Sequence, residues 1–203
     1  GVNISTDKTQ DPKSINLTRL ERKYTLPRHA WTLGDAMNSF SPYSLSGSVK
    51  GLSFEYRDPT HKSSDLSFVY GIAYPRWDNF WDSDSSTRAL QRRVSGARIS
   101  RASKKFDWGF STIQTFDSSR VTTSDTLYDN LLFAADWEMR PDEFWTFNGE
   151  HSRSGTSFST GEGIAYQGQF GWAHRISAVR SAGRQRFAFD YEHVTPYFTT
   201  LMG

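Results

Sequence analysis

Apolar and polar residues alternate with a period of two along most of this chain. In GIAYQGQFGWAHRIS (163–177), Ile164, Tyr166, Phe170 and Trp172 share one phase, and Ala165, Gln167, Gln169, Gly171, Ala173 and Arg175 share the other. Successive side chains of a strand point to opposite faces, so one face here is large and aromatic and the other small or polar. The same pattern recurs in GSVKGLSFEYRDP (47–59), DLSFVYGIAYP (65–75), FDWGFSTIQTF (106–116), LLFAADWEM (131–139) and RFAFDYEH (186–193). No run with a 3.6-residue period competes with these, so the pattern predicts strands throughout.

The connections alternate in kind. MRPDEF (139–144), SKKFD (103–107) and SAGRQ (181–185) are short turns, whereas 74–88, 117–130 and 152–163 are longer and rich in Ser, Thr, Asp and Gly. An antiparallel meander with short turns at one end and long loops at the other is expected. Roughly nine strands of about 9–13 residues fit, longer than the 5–6 usual in soluble domains and enough to cross a bilayer. Residues 1–29 are polar and aperiodic and read as an N-terminal arm, with strands and loops filling 30–203.

The two phases differ in chemistry. Glu55, Arg57, Asp107, Asp136, Glu138, Glu150, Gln167, Gln169, Arg175, Asp190 and Glu192 fall in the small or polar phase. Phe68, Tyr70, Trp108, Phe110, Phe133, Trp137, Phe170, Trp172, Phe187 and Phe189 fall in the large one. The polar phase also carries many Gly, Ala and Ser, which suits a crowded interior better than a water-facing strand. Tyr74, Trp77, Phe80 and Trp81 cluster at a strand end, where an interfacial aromatic girdle would lie.

Composition sharpens the picture. The 203 residues are 36% hydrophobic yet 15% aromatic, and the mean hydropathy is −0.64. That suits a sheet with one aromatic and one polar face. The net charge of +2 and the scattered arginines give no reason to expect nucleic acid. There is no cysteine, which fits a bacterial envelope compartment. No stretch approaches the 18 apolar residues of a membrane-spanning helix.

TLGDAMNSFSPYSLSGSVKGLSFEYRDP (32–59) resembles a segment of bacterial outer-membrane β-barrel proteins. RRVSGARI (92–99), DNLLFAADWEMRPDEFWTFNGEHSRS (129–154) and FAFDYEHVTPYFTTLMG (187–203) are similar to strand pairs of the same large, porin-like barrels. The resemblance implies an all-β antiparallel meander forming a transmembrane barrel or part of one, in a bacterial outer membrane. It carries over no functional residues and no substrate. Many such barrels end on an aromatic residue, and this chain ends LMG. The expectation is therefore a piece of a larger barrel, or a C-terminus beyond Gly203. On this reading the polar phase lines the lumen, the aromatic phase faces lipid, and the chain is a pore, a transport conduit or an anchor for a larger assembly. Its partners are membrane lipid and either other envelope proteins or further copies of itself. The rival is a soluble extracellular β-sandwich that binds carbohydrate through exposed aromatics.

Candidate chemistry is sparse. His151 lies beside Ser152 and Ser154, the elements of a barrel-embedded Ser/His hydrolase, but alternation puts His151 on the aromatic face and no third orienting group is visible. His174 and His193 share that face, with no second ligand at a chelating spacing along the chain. Asp78, Asp82 and Asp84 are loosely calcium-like but lack the glycine and terminal Glu of a twelve-residue loop. Among Arg92, Arg93, Arg98 and Arg101, those pointing inward are expected to pair with the acidic wall. No catalytic residue, metal site or cofactor is expected.

Overall fold

The computed structural model describes residues 2–5, 16–60, 63–73, 91–118, 126–159 and 168–201. They form an all-β meander: β1 (Val2–Ser5), β2 (Asn16–Thr25), β3 (His29–Ser39), β4 (Ser46–Tyr56), β5 (Asp65–Ile72), β6 (Gln91–Arg101), β7 (Phe106–Ser118), β8 (Leu127–Met139), β9 (Trp145–Ser159), β10 (Gln169–Ala182) and β11 (Gln185–Val194). Each strand pairs antiparallel with its sequence neighbours. The ten strands β2–β11 make one sheet, and β1 pairs with the first half of β2.

Two of these strands fall within the segment read as a polar arm: residues 16–25 are strand β2, and its second half pairs with β3. Part of the expected long loop at 152–163 is also strand, because β9 runs to Ser159. The girdle residues 74, 77, 80 and 81, the aspartates 78, 82 and 84, and Gln167 lie outside the described residues.

The sheet curves. In a flat sheet, β4 and β11 would stand roughly 34 Å apart, seven spacings of about 4.8 Å. Yet Tyr43, in the turn between β3 and β4, donates its hydroxyl hydrogen bond to Glu192 of β11. Ser41 of the same turn donates to Glu150 of β9 at 2.6 Å. A six-residue turn does not bridge such a gap, so the strands must wrap round it. The sheet nevertheless remains open rather than closing as a barrel. Among the described residues β11 pairs only with β10, and all ten of its residues are exposed.

Inside the curve, Phe40 and Leu45 of the turn pack on Val49, Val69, Val94 and Ile113. Each buried side chain of this kind contributes about 1.5–3 kcal/mol. After β11 the chain doubles back as a strap across the concave face. The Thr199 N–H donates to Ser154 Oγ at 3.0 Å, and its carbonyl accepts from Asn130 Nδ2 at 3.0 Å. Arg92 Nη1 donates to the Leu201 carbonyl at 3.3 Å, and Thr200 Oγ1 to the Ser44 carbonyl at 3.2 Å. The strap thus ties β9, β8, β6 and the β3–β4 turn together. It crosses β10 directly over Gly171, where a Cβ would lie 2.0 Å from the Phe198 nitrogen.

That contact gives a test. Gly171→Ala should displace the strap at a cost of about 1–3 kcal/mol, the usual range for overpacking. Hydrogen exchange at the Thr199 amide should accelerate in this variant. It should stay slow in Gly168→Ala, whose Cβ would meet nothing nearer than 3.9 Å. Equal protection in both variants would contradict the crossing.

Candidate functional site on the concave face

The polar phase lies on the concave face. Glu55, Asp107, Asp136 and Glu138 are half-buried there, while Arg57, Gln169, Arg175, Asp190 and Glu192 are exposed along its rim and near the free edge at β11. Strand register aligns these groups across the sheet. Asp136 of β8 stands opposite Glu150 of β9, which stands opposite Arg175 of β10, which stands opposite Glu192 of β11.

Most of the charges are paired. Arg98 makes a two-pronged contact with Asp136, at 2.5 and 2.8 Å, and donates a third bond to Ser111 Oγ at 2.9 Å. To reach β8 from β6, its guanidinium lies flat across Gly109 of β7, where a Cβ would sit 2.1 Å from Nη2. Any side chain at 109 would block this bridge. Arg140 donates to Glu138 at 2.9 Å and also contacts Asp107. Arg57 donates to Glu55 at 2.9 Å, and Arg92 holds Asp117 through two bonds at 2.8 and 3.2 Å. Arg175 and Asp190 are farther apart, at 3.9 Å. The sequence-based expectation that inward arginines pair with the acidic wall is met at Arg92 and Arg98. Arg93, by contrast, lies over the Phe116 ring on the other face, 5.8 Å from its centroid.

Glu150 differs from its neighbours. It is only 3% exposed, and its Oε1 accepts from Ser41 Oγ, from Ser152 Oγ at 3.0 Å and from the Tyr43 amide at 3.3 Å. Its Oε2 is buried without a hydrogen-bond partner. Tyr43 is held protonated well above the usual phenol range, first by burial and then by the Glu192 carboxylate it donates to. Two adjoining cavities open onto these groups. One of about 430 Å3 is lined by Asp107, Asp136, Glu138, Glu150 and Arg175; another of about 600 Å3 by Glu55, Arg57 and Asp58. They share Asp65, Arg98 and Ser100 as a common wall.

The convex face carries the aromatic phase. Phe68, Tyr70, Phe110, Phe133, Phe170, Trp172, Phe187 and Phe189 are exposed there, and Trp108 and Trp137 are half-buried against their neighbours. No second sheet covers them among the described residues.

His151 and Ser152 lie on opposite faces of β9. Ser152 bonds Glu150 on the concave side, and His151 sits on the convex side with its Nδ1 2.8 Å from Nδ1 of His174. Three histidines, 151, 174 and 193, stand in register on β9, β10 and β11. The sequence reading found no second ligand at a chelating spacing along the chain; this alignment runs across strands. The hairpin half of that alignment was legible, since 174 and 193 are symmetric about the turn at Gly183–Arg184. The β9–β10 half was not, because it depends on where a long loop returns the chain. Among the described residues no group of three or more His, Cys, Asp or Glu is gathered closely enough to hold a metal ion.

Compared with known proteins, the chain matches no family model, no curated protein and no solved structure.

Two measurements probe this face and its rim. Removing Arg98 leaves Asp136 without its two charged hydrogen bonds. Arg98→Gln should cost about 1.5–3 kcal/mol in urea unfolding. The double variant with Asp136→Asn should cost less than the sum of the two singles, with a coupling of about 0.5–3 kcal/mol. Strict additivity would show that the bridge contributes nothing. At the rim, Asp58 in the β4–β5 turn accepts from the Thr60 amide and hydroxyl at 3.0 and 2.7 Å and from the Ser63 amide and hydroxyl, both at 2.8 Å. These bonds, Thr60's first, hold its carboxyl well below the usual carboxylate range. A depressed folded-state value stabilises above the unfolded value, near pH 4, and that stability is lost as pH falls through the folded one. The urea midpoint of the native protein should therefore fall more steeply below about pH 4 than that of Asp58→Asn. Parallel curves would refute this.

Proposed function

We propose that this chain forms a wall of a bacterial outer-membrane β-barrel that acts as a conduit, with its convex face toward lipid and its charged concave face toward an aqueous lumen. The observation that carries the reading is the outer face itself. Phe110, Phe133, Phe170 and Phe189 are 56%, 54%, 61% and 62% exposed, while small, polar and charged groups fill the inside. A soluble protein rarely leaves so much contiguous apolar surface in water.

The apolar residues form a band. Strand register arranges them in rows running from Phe106–Met139–Phe147, through Trp108–Trp137, Ile99–Phe110 and Phe54–Phe68, to Leu33–Leu52–Tyr70. These five rows span roughly 27 Å along the strands, about 20 Å after a barrel strand's tilt of 35–45°, comparable to a lipid-facing band of about 25 Å. The next row is charged: Asp35 and Lys50, paired at 2.5 Å, and then Arg93 and Asp129. A groove of about 550 Å3 on the band, lined by Leu66, Phe68, Ile99, Phe110 and Phe133, suits an acyl chain.

The concave face supplies the lumen. Its charged half, around Arg98, Asp136 and Glu138, lies toward the short turns. The Phe40–Leu45 turn and the 195–201 strap narrow the other half. The open edges, at β11 and at β1–β2, are where further strands, from another copy or from additional chain, would complete the wall.

Phe110→Arg tests the lipid face. In a bilayer, an arginine near the midplane costs about 2–4 kcal/mol of stability. On the water-exposed surface of a soluble protein the same change stays within about 0.5 kcal/mol. Unfolding from liposomes with a cost inside the smaller range would reject the membrane reading. The conduit itself is tested in planar bilayers, where salt-dependent conductance should change when Asp136 and Glu138 become Asn and Gln. Folded, inserted protein that stays electrically silent would leave the anchor role in its place.

A further inference from the structure

The rim of short turns bordering the aromatic band carries an unbalanced charge. Three turns, 102–105, 140–144 and 183–184, are tied side by side. The Arg140 amide donates to the Lys105 carbonyl at 2.7 Å, and the Ser181 amide, just before the third turn, to the Phe144 carbonyl at 2.8 Å. Lys104, Lys105, Arg180 and Arg184 are exposed on this rim, and among the described residues none has a carboxylate within ion-pair distance. The acids beside them are engaged. Asp142 Oδ1 accepts the Phe144 and Trp145 amides, both at 2.9 Å, and Asp107 and Glu138 hold Arg140. Glu143 is the remaining acid of these turns, one against four cations. At the opposite end of the band the described charges balance. Lys50 pairs with Asp35 and Arg92 with Asp117, and Arg93 shares a row with Asp129. We propose that the short-turn rim binds the anionic headgroups of phospholipids in the adjoining leaflet; this rests on the lipid-facing reading of the convex face.

Register fixes the depth. Arg180 stands opposite Trp145 and Phe187, in the row just beyond Phe147–Ala178–Phe189. Rows repeat every two residues, about 6.8 Å along the strands, or about 5 Å in depth at a barrel strand's tilt. The guanidinium therefore lies just outside the apolar band, at the level of headgroups rather than acyl chains. It sits over the Trp145 ring, 5.8 Å from its centroid, and that ring stacks on Phe147 at 5.3 Å with 6° between planes. A tryptophan at the edge of such a band suits the lipid–water boundary, and the arginine beside it presents a fork of N–H donors to a phosphate. Lys104, Lys105 and Arg184 stand in the turns themselves, with long apolar stems that let their charges follow the headgroup layer. A zwitterionic lipid brings its own cation and leaves the rim's excess charge uncompensated, whereas an anionic one neutralises it. Each basic residue near an anionic surface strengthens association about fivefold.

Spin-labelled lipids test it. The full chain is folded into phosphatidylcholine liposomes carrying a trace of spin-labelled phosphatidylglycerol or of spin-labelled phosphatidylcholine, and the motionally restricted fraction of each label is read by electron paramagnetic resonance. Phosphatidylglycerol should be preferred at least fivefold at low ionic strength, and the preference should fall toward parity in 1 M NaCl, an arm that needs no variant. The quadruple variant Lys104→Gln, Lys105→Gln, Arg180→Gln, Arg184→Gln should lose the preference, while Arg93→Gln, at the other end of the band, should keep it. A restricted fraction that is equal for the two lipids, or a preference that survives in the quadruple variant, would overturn the lipid assignment with the membrane reading intact. No restricted fraction for either lipid would overturn both.

Discussion

Unequal filling of the two sheet faces governs this architecture. Large side chains on one side and glycine, alanine and serine on the other let neighbouring strands tilt toward the small side, and the sheet curls in that direction. The curl creates an inner space, and the chain's own segments occupy part of it. The Phe40–Leu45 turn inserts an apolar wedge over Val49, Val69, Val94 and Ile113. The strap after β11 then bridges β9, β8 and β6 with hydrogen bonds rather than apolar contacts. Without the small residues at the crossing points neither insertion would fit, and Gly171 is the clearest instance.

The same asymmetry organises the charges. A carboxylate on a confined face is costly unless paired or hydrogen-bonded, and several here have an arginine partner. The bridge from Arg98 to Asp136 spans an intervening strand, so it staples three strands rather than two. Glu150 takes a different solution, with three neutral donors on one oxygen and none on the other. This buried carboxylate couples the β3–β4 turn to the far side of the sheet. The convex side has no such network. Among the described residues its charged and imidazole groups include the Asp35–Lys50 row, arginines lying over aromatic rings and the histidine row.

Local alternation was sufficient for β4, β5, β7, β8, β10 and β11, for which of their described residues share a face of the sheet, and for the short turns at 103–107, 139–144 and 181–185. The reason is that the period-2 pattern and turn chemistry act between neighbours in the chain, where sequence distance and spatial distance agree. β2 escaped because its residues, NLTRLERKYT, lack a contrast between phases; its strand state comes from pairing with β3. The contacts that build the candidate sites join residues far apart in sequence: Ser41 to Glu150, Asn130 to Thr199, Arg98 to Asp136 and His151 to His174. Each depends on how far the sheet curves or where a long loop returns the next strand. Curvature is the sum of many small side-chain volumes, and register across a long loop is chosen by the whole ladder of hydrogen bonds and face burial. Alternation therefore determined which way each side chain points, and only the tertiary structure decided which side chains meet.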